Sequence, residues 1–289
     1  MVDTLMAVRH QTQQQAGDGW QAELRLRFAN RSGRTVLAGR SQYGPLSVQR
    51  AFYPEGGVPH LYLLHPPGGV VGGDSLKIEA TVDASAHALI TTPAAGKFYR
   101  CDGRQGVLQQ QLRLEQDACL EWLPQETIVY QGAQADSLTR VELATGSRFI
   151  GWEMVCLGRP AAGEGFGNGF LRQRLEIWRE GRPVFLERAR FQGGGPALTA
   201  HWGMAGLPLA ATLVAVGVAD LLESAGLREL SFHHPDEQLS VTAMDEDVLV
   251  CRYLGRQAQR ARQRLATVWA RIRPRIMQRP ACEPRVWNT

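Results

Sequence analysis

Between positions 20 and 28 the chain alternates apolar and polar side chains, with Trp20, Ala22, Leu24, Leu26 and Phe28 set against Gln21, Glu23, Arg25 and Arg27. Successive side chains of an extended strand point to opposite faces, so this spacing predicts a strand that buries one face and wets the other. Runs of the same kind recur at residues 76–82, 107–114, 138–143, 149–157, 171–178, 184–191 and 239–250. Short alternating runs between turn signals, continuing to about Tyr253, predict a large, mainly β unit. REGRP at 179–183 and DED at 245–247 read as hairpin turns.

Two segments depart from the alternation. Residues 209–225 are apolar at nearly helical spacing, with Pro208 before them and Gly226 placed as a C′ residue, which predicts a buried helix. In the second, Leu254, Ala258, Ala261, Leu265, Val268 and Ile272 form one apolar stripe, which predicts a helix over 254–272 that Pro274 stops. No repeat of fixed period and no linker-like shift in composition is visible, so one domain over residues 1–289 is expected.

A chain of 289 residues can bury a sizeable core without a disulfide or metal staple. Its longest greasy stretch, 207–222, is broken by Pro208, Thr212, Gly217 and Asp220, so no membrane span is expected. The opening MVDTLMAVRHQTQQQ lacks a basic region followed by an apolar one, and a cytoplasmic location is the resulting expectation. The five cysteines, at 101, 119, 156, 251 and 282, fit neither a disulfide framework nor a zinc ribbon. The net charge of +4 is carried almost wholly by arginine, with Lys77 and Lys97 the two lysines.

No catalytic signature is spelled out. HPPGGVVGGD at 65–74 lacks the GK[ST] ending of a phosphate loop, and GEGFGNG at 163–169 matches no dinucleotide fingerprint; both read as tight turns. His10, His60, His65, His87, His201, His233 and His234 form no HExxH pair, and no GxSxG elbow is present. Nine arginines lie between 252 and 279 with no acidic residue from 248 to 282. A phosphate-binding surface is one reading of that segment; a solvated helix face beside a core-packing stripe is the favoured one.

Several stretches together resemble the UreD (UreH) family of urease accessory proteins. They are RSQYGPLSVQRAFYPEG (40–56), HPPGGVVGGD (65–74), TTPAAGKFYR (91–100), LEWLPQETIVYQGA (120–133), GRPAAGE (158–164), CRYLG (251–255) and PRVWNT (284–289), in family order. Gly96 departs from the pattern, where a threonine is expected. The resemblance implies a helix-like stack of β-strands with a few helices. It also implies a non-catalytic adaptor that joins UreF and the GTPase UreG to the urease apoprotein for nickel delivery, with no catalytic residues and no tightly bound cofactor. Nickel would be present only in transit.

Such transit favours carboxylates and an occasional imidazole over thiolates, which hold the ion too tightly to release it. Within the matched stretches the candidate metal ligands are His65, Asp74, Glu126 and Glu164, each near Gly or Pro. The competing reading is that a carboxylate beside a turn bonds nearby backbone N–H groups. Phe98, Tyr99 and Arg100 are the expected partner-binding residues, being aromatic and arginine anchors. The rival functions are a metal-dependent hydrolase using the same carboxylates and histidines, and a nucleic-acid binder using the arginine helix.

Overall fold

The computed structural model describes residues 19–288. The N-terminal stretch read for a leader, and His10, lie outside the described residues. Half-buried alternation becomes a seven-stranded sheet made of β1 (Gln21–Arg31), β2 (Arg34–Tyr43), β5 (Ser75–Val82), β8 (Gly106–Leu114), β11 (Gln134–Leu143), β13 (Phe170–Arg179) and β14 (Arg182–Gln192). Its order is β14-β13-β11-β8-β5-β1-β2, parallel from β1 to β13 and antiparallel at both edges.

A second sheet of eleven strands faces it. Its main path joins β3 (Ser47–Val48), β4 (His60–Leu64), β6 (His87–Thr91), β9 (Cys119–Leu123) and β12 (Arg148–Leu157), then β15 (Leu209–Val216), β18 (Val248–Gly255), β17 (Glu237–Asp245) and β16 (Phe232–His234). The short strands β7 (Gly96–Phe98) and β10 (Thr127–Val129) run parallel to each other, and β10 pairs with the end of β12.

The parallel strands stack as successive turns of a β-solenoid. In the first sheet paired positions lie 32 residues apart (Leu76 beside Leu108), then 29 (Gly106 beside Ala135), then 36 (Gln134 beside Phe170). In the second they lie 32 (His87 beside Cys119) and 29 (Cys119 beside Arg148) residues apart. The turns therefore have unequal lengths, which is why no fixed period shows in the sequence. The predicted turns at REGRP and DED do join β13 to β14 and β17 to β18.

Apolar residues pack as two layers. One fills the space between the sheets, where Leu24, Phe28, Ile78, Val82, Trp122 and Ile177 are buried. The other lies on the outer face of the second sheet under α2 (Ala258–Ile276), which follows the single-turn α1 (Leu221–Ser224), and holds Trp152, Leu213, Leu265, Trp269 and Ile272.

The helix expected over 209–225 is corrected. Residues Leu209–Val216 form β15, held between β12 and β18, and helix is confined to the single turn of α1. Both faces of β15 are covered: Val214 and Val216 enter the inter-sheet core while Leu209, Leu213 and Ala215 enter the layer under α2. A strand buried on both sides has no polar alternation to report, so its run of apolar residues imitates a buried helix. Gly226 does take the left-handed conformation, φ +60°.

The second helix begins at Ala258, because Leu254 still belongs to β18, and it runs through Pro274 to Ile276. Pro274 is exposed in the last turn, while Arg273 and Ile276 on either side are fully buried. Anchoring on both sides outweighs the loss of one backbone hydrogen bond. Among the described residues no helix is long and apolar enough to cross a membrane.

Candidate functional site

The gap between the sheets does not close everywhere. A partly enclosed cavity of about 300 Å³ is lined by Leu63, His65, Ile78, Phe98, Gln110, Trp122, Ser137, Glu153 and Gln173, drawn from both sheets and from the 65–68 and 92–97 loops. Glu153, Val155 and Gln173 also line an outer groove of about 840 Å³ beside β14, β15 and β18. Those three residues therefore stand where the interior meets the surface.

Alternation explains how Glu153 gets there. In β12, Trp152 and Met154 face the layer under α2, so Glu153 and Val155 face the inter-sheet space. Gln173 Nε2 donates to Glu153 Oε2 at 2.6 Å. Although the groove leaves Glu153 some access to solvent, protein packs densely around it. Burial pushes its carboxyl up to about 7; hydrogen bonds from Thr139 and Gln173 oppose this, and the nearby Glu187 charge adds to it. Two ring nitrogens on the cavity wall, Nε2 of His65 and Nε1 of Trp122, are buried without a protein partner. A cavity with unsatisfied polar atoms and an uncompensated carboxyl suits a polar occupant such as water or a cation.

Of the four predicted ligands, the structure brings His65 to this cavity and places the other three elsewhere. Burial lowers the pKa of His65, against an upward pull from Asp74. Asp74 is itself buried and accepts the backbone N–H groups of Trp20 at 2.7 Å and Val71 at 2.9 Å, so it ties down the turn it sits in. Glu126 lines a separate surface depression with Arg262 and Trp287. Glu164 pairs with Arg159 at the surface, and that bond holds its carboxyl below the usual range despite a small opposing desolvation.

Phe98 is a core residue, 2% exposed, so it is not a free surface anchor in this chain; Tyr99 is half-buried and Arg100 exposed. The Tyr99 ring packs close against Gly69, where an added Cβ would come within 2.3 Å of its Cε2. That close approach explains a glycine in the 65–74 run. At Gly96 an added Cβ would meet Thr127 Oγ1 at an ordinary 3.5 Å, so the departure there removes a side chain without opening a strained site.

Sequence reasoning missed Glu153, and it also missed a buried ion network beneath α2. Glu121, fully buried in β9, accepts Arg273 Nε and Nη2 at 2.9 Å each, Trp269 Nε1 at 2.6 Å and His87 Nε2 at 2.9 Å. Arg273 Nη2 also reaches Glu55 Oε1 at 2.7 Å, and the same oxygen contacts His60 Nε2 at 2.7 Å. Burial alone would raise the Glu121 carboxyl; the His87 and Arg273 bonds and charges overcome it and hold it at about 2. The available signal was a charged residue inside an apolar strand, as in CLEWL and GWEMVCL.

Other arginines of this region are engaged as well. Arg256 pairs with Asp236, Arg260 and Arg264 with Glu237, and Arg252 with Glu187; Arg262 donates to Gln125 and Arg271 to the Gly226 carbonyl. Arg252, Arg256, Arg260 and Arg264 remain largely exposed in these pairs.

The fold is a β-solenoid with a partly enclosed inter-sheet cavity whose wall carries Glu153, Gln173, Gln110 and His65. The comparisons place it further. Residues 21–288 match the family model described as UreD urease accessory protein. Proteins named urease accessory protein UreD are similar along almost their whole length: 46% identical over 276 residues in Azoarcus sp. (95% of this chain, 96% of that one), 45% over 271 in Alkalilimnicola ehrlichii (94% and 92%) and 42% over 274 in Klebsiella aerogenes (94% and 97%). The chain belongs to the UreD urease accessory protein family.

Proposed function

We propose that this chain works in urease maturation as a cytoplasmic, non-catalytic adaptor that joins UreF and the GTPase UreG to the urease apoprotein, with nickel passing through the inter-sheet cavity as cargo. Family membership over nearly the whole chain supports the adaptor role. The single observation that carries the passage is the position of Glu153, which borders both the cavity and the outer groove.

The lining chemistry suits transfer. A divalent ion that sheds water in a cavity needs replacement oxygen or nitrogen donors, and Glu153, Gln173, Gln110 and His65 offer them. None of the lining residues of cavity or groove is a cysteine, so the ion meets no thiolate that would retain it. Tyr99 and Arg100 are the surface residues assigned to partner contact.

Deletion of the chain in a urease-producing host tests the adaptor role. The expected result is apo-urease that accumulates without activity at ordinary nickel concentrations; normal activity would overturn the reading. In a pull-down, Tyr99→Ala with Arg100→Ala should weaken capture of UreF, and unchanged capture would remove that contact.

A further inference from the structure

Beside the ion network, three residues of different donor chemistry converge. A carboxylate oxygen of Glu55, a ring nitrogen of His60 and Sγ of Cys282 lie within 4.8 Å of one another. Glu55 sits in the loop before β4, His60 opens β4, and Cys282 lies on the tail that follows α2. We propose that these three form a resident binding site for a divalent, zinc-class cation that fastens the C-terminal tail to the second sheet.

Two observations point to a ligand. His60 is fully buried, and the ring nitrogen it presents to Glu55 is Nε2, 2.7 Å from Oε1, so an imidazole donor and the carboxylate already face each other without solvent. The hydrogen bonds to the Glu55 carboxylate from His60 and Arg273 both fall on Oε1, which leaves Oε2 for a cation while Arg273 keeps its place.

The donor set selects the class of ion. Thiolate, imidazole and carboxylate together suit tetrahedral zinc-type coordination, with a water in the fourth position. Hard magnesium or calcium prefers all-oxygen sites. Coordination of the Cys282 sulfur would release the thiol proton. No residue of this trio lines the inter-sheet cavity. A thiolate that slows release is unsuited to cargo in transit and suited to a staple. Arg273 adds a second tie to the same tail by donating Nη1 to the Pro280 carbonyl.

The test uses the full-length chain with cobalt(II) as a spectroscopic probe, then zinc. One equivalent of cobalt should give a thiolate-to-cobalt charge-transfer band in the near ultraviolet, zinc should displace it, and Cys282→Ser should abolish it while far-ultraviolet circular dichroism stays unchanged. X-ray absorption of the zinc-loaded wild-type protein reads the same site without a variant and should find one sulfur among nitrogen and oxygen donors. Absence of the band at stoichiometric cobalt, its persistence in Cys282→Ser, or a zinc shell with no sulfur or several would overturn the proposal. These readouts do not depend on nickel delivery, so loss of transport through Glu153 variants and loss of this site are separable.

Discussion

Glu121 and Glu153 sit on neighbouring strands of one sheet, yet their surroundings treat the same carboxyl in opposite ways. On β9, Glu121 points toward α2 and is met by a guanidinium, an imidazole and an indole N–H. On β12, Glu153 points the other way, toward the inter-sheet space, where its hydrogen-bonded neighbours are the Gln173 amide and the Thr139 hydroxyl and the charge acting on it is that of Glu187. One carboxyl is held at about 2 and the other pushed up to about 7. Buried charge met by cationic partners builds a lock; a buried carboxyl without one is, on the proposed reading, a site that gains by receiving a cation.

The largest effect should come from breaking the lock. Arg273→Met leaves Glu121 and Glu55 buried without their cation, and removal of one partner of a buried pair costs about 3–5 kcal/mol. Denaturant unfolding should show that loss; a change below about 1 kcal/mol would mean that the network is incidental.

The pH dependence of stability separates the two carboxyls by sign. Glu121 has a depressed folded pKa, so its contribution is complete above the ordinary value near 4.5 and is lost as pH falls from there to about 2. Glu153 has a raised one, so the folded chain holds the extra proton and stability declines as pH rises from about 4.5 to about 7. Glu153→Gln should therefore stabilise the protein above pH 7, by roughly 1–3 kcal/mol after allowing for solvent at the groove. Destabilisation there would contradict the assignment of Glu153 as an uncompensated carboxyl.

Smaller effects should follow at the predicted ligands that the fold puts elsewhere. Asp74→Asn should cost about 1–2 kcal/mol through its backbone hydrogen bonds and leave nickel transfer unchanged once the protein is folded. Glu164→Gln, at a surface ion pair, should move neither the unfolding midpoint nor activation. A specific defect in nickel loading from either would restore that residue to the metal path.

The difference between the carboxyls also explains what the sequence could reveal. Alternation at 20–28 and 76–82 announces strands with one wet face, and the turns at REGRP and DED are chemically explicit. The β15 run hides because both its faces are covered, and Pro274 misleads because Arg273 and Ile276 hold the helix on either side of it. Motif stretches identified the family, but they favoured acids beside glycine and proline, where Asp74 bonds its own turn. Glu121 and Glu153 are carboxylates inside apolar strands, and only their three-dimensional partners distinguish the ion network from the cavity wall.

The most direct test of the proposed nickel passage is activation of urease at limiting nickel by the complex carrying Glu153→Gln, with co-purification of the partners measured in the same samples. The amide keeps the size and hydrogen-bonding capacity of the side chain but cannot exchange a proton for a cation. The account predicts full assembly with activation slowed several-fold. Full assembly with activation at the wild-type rate would contradict it.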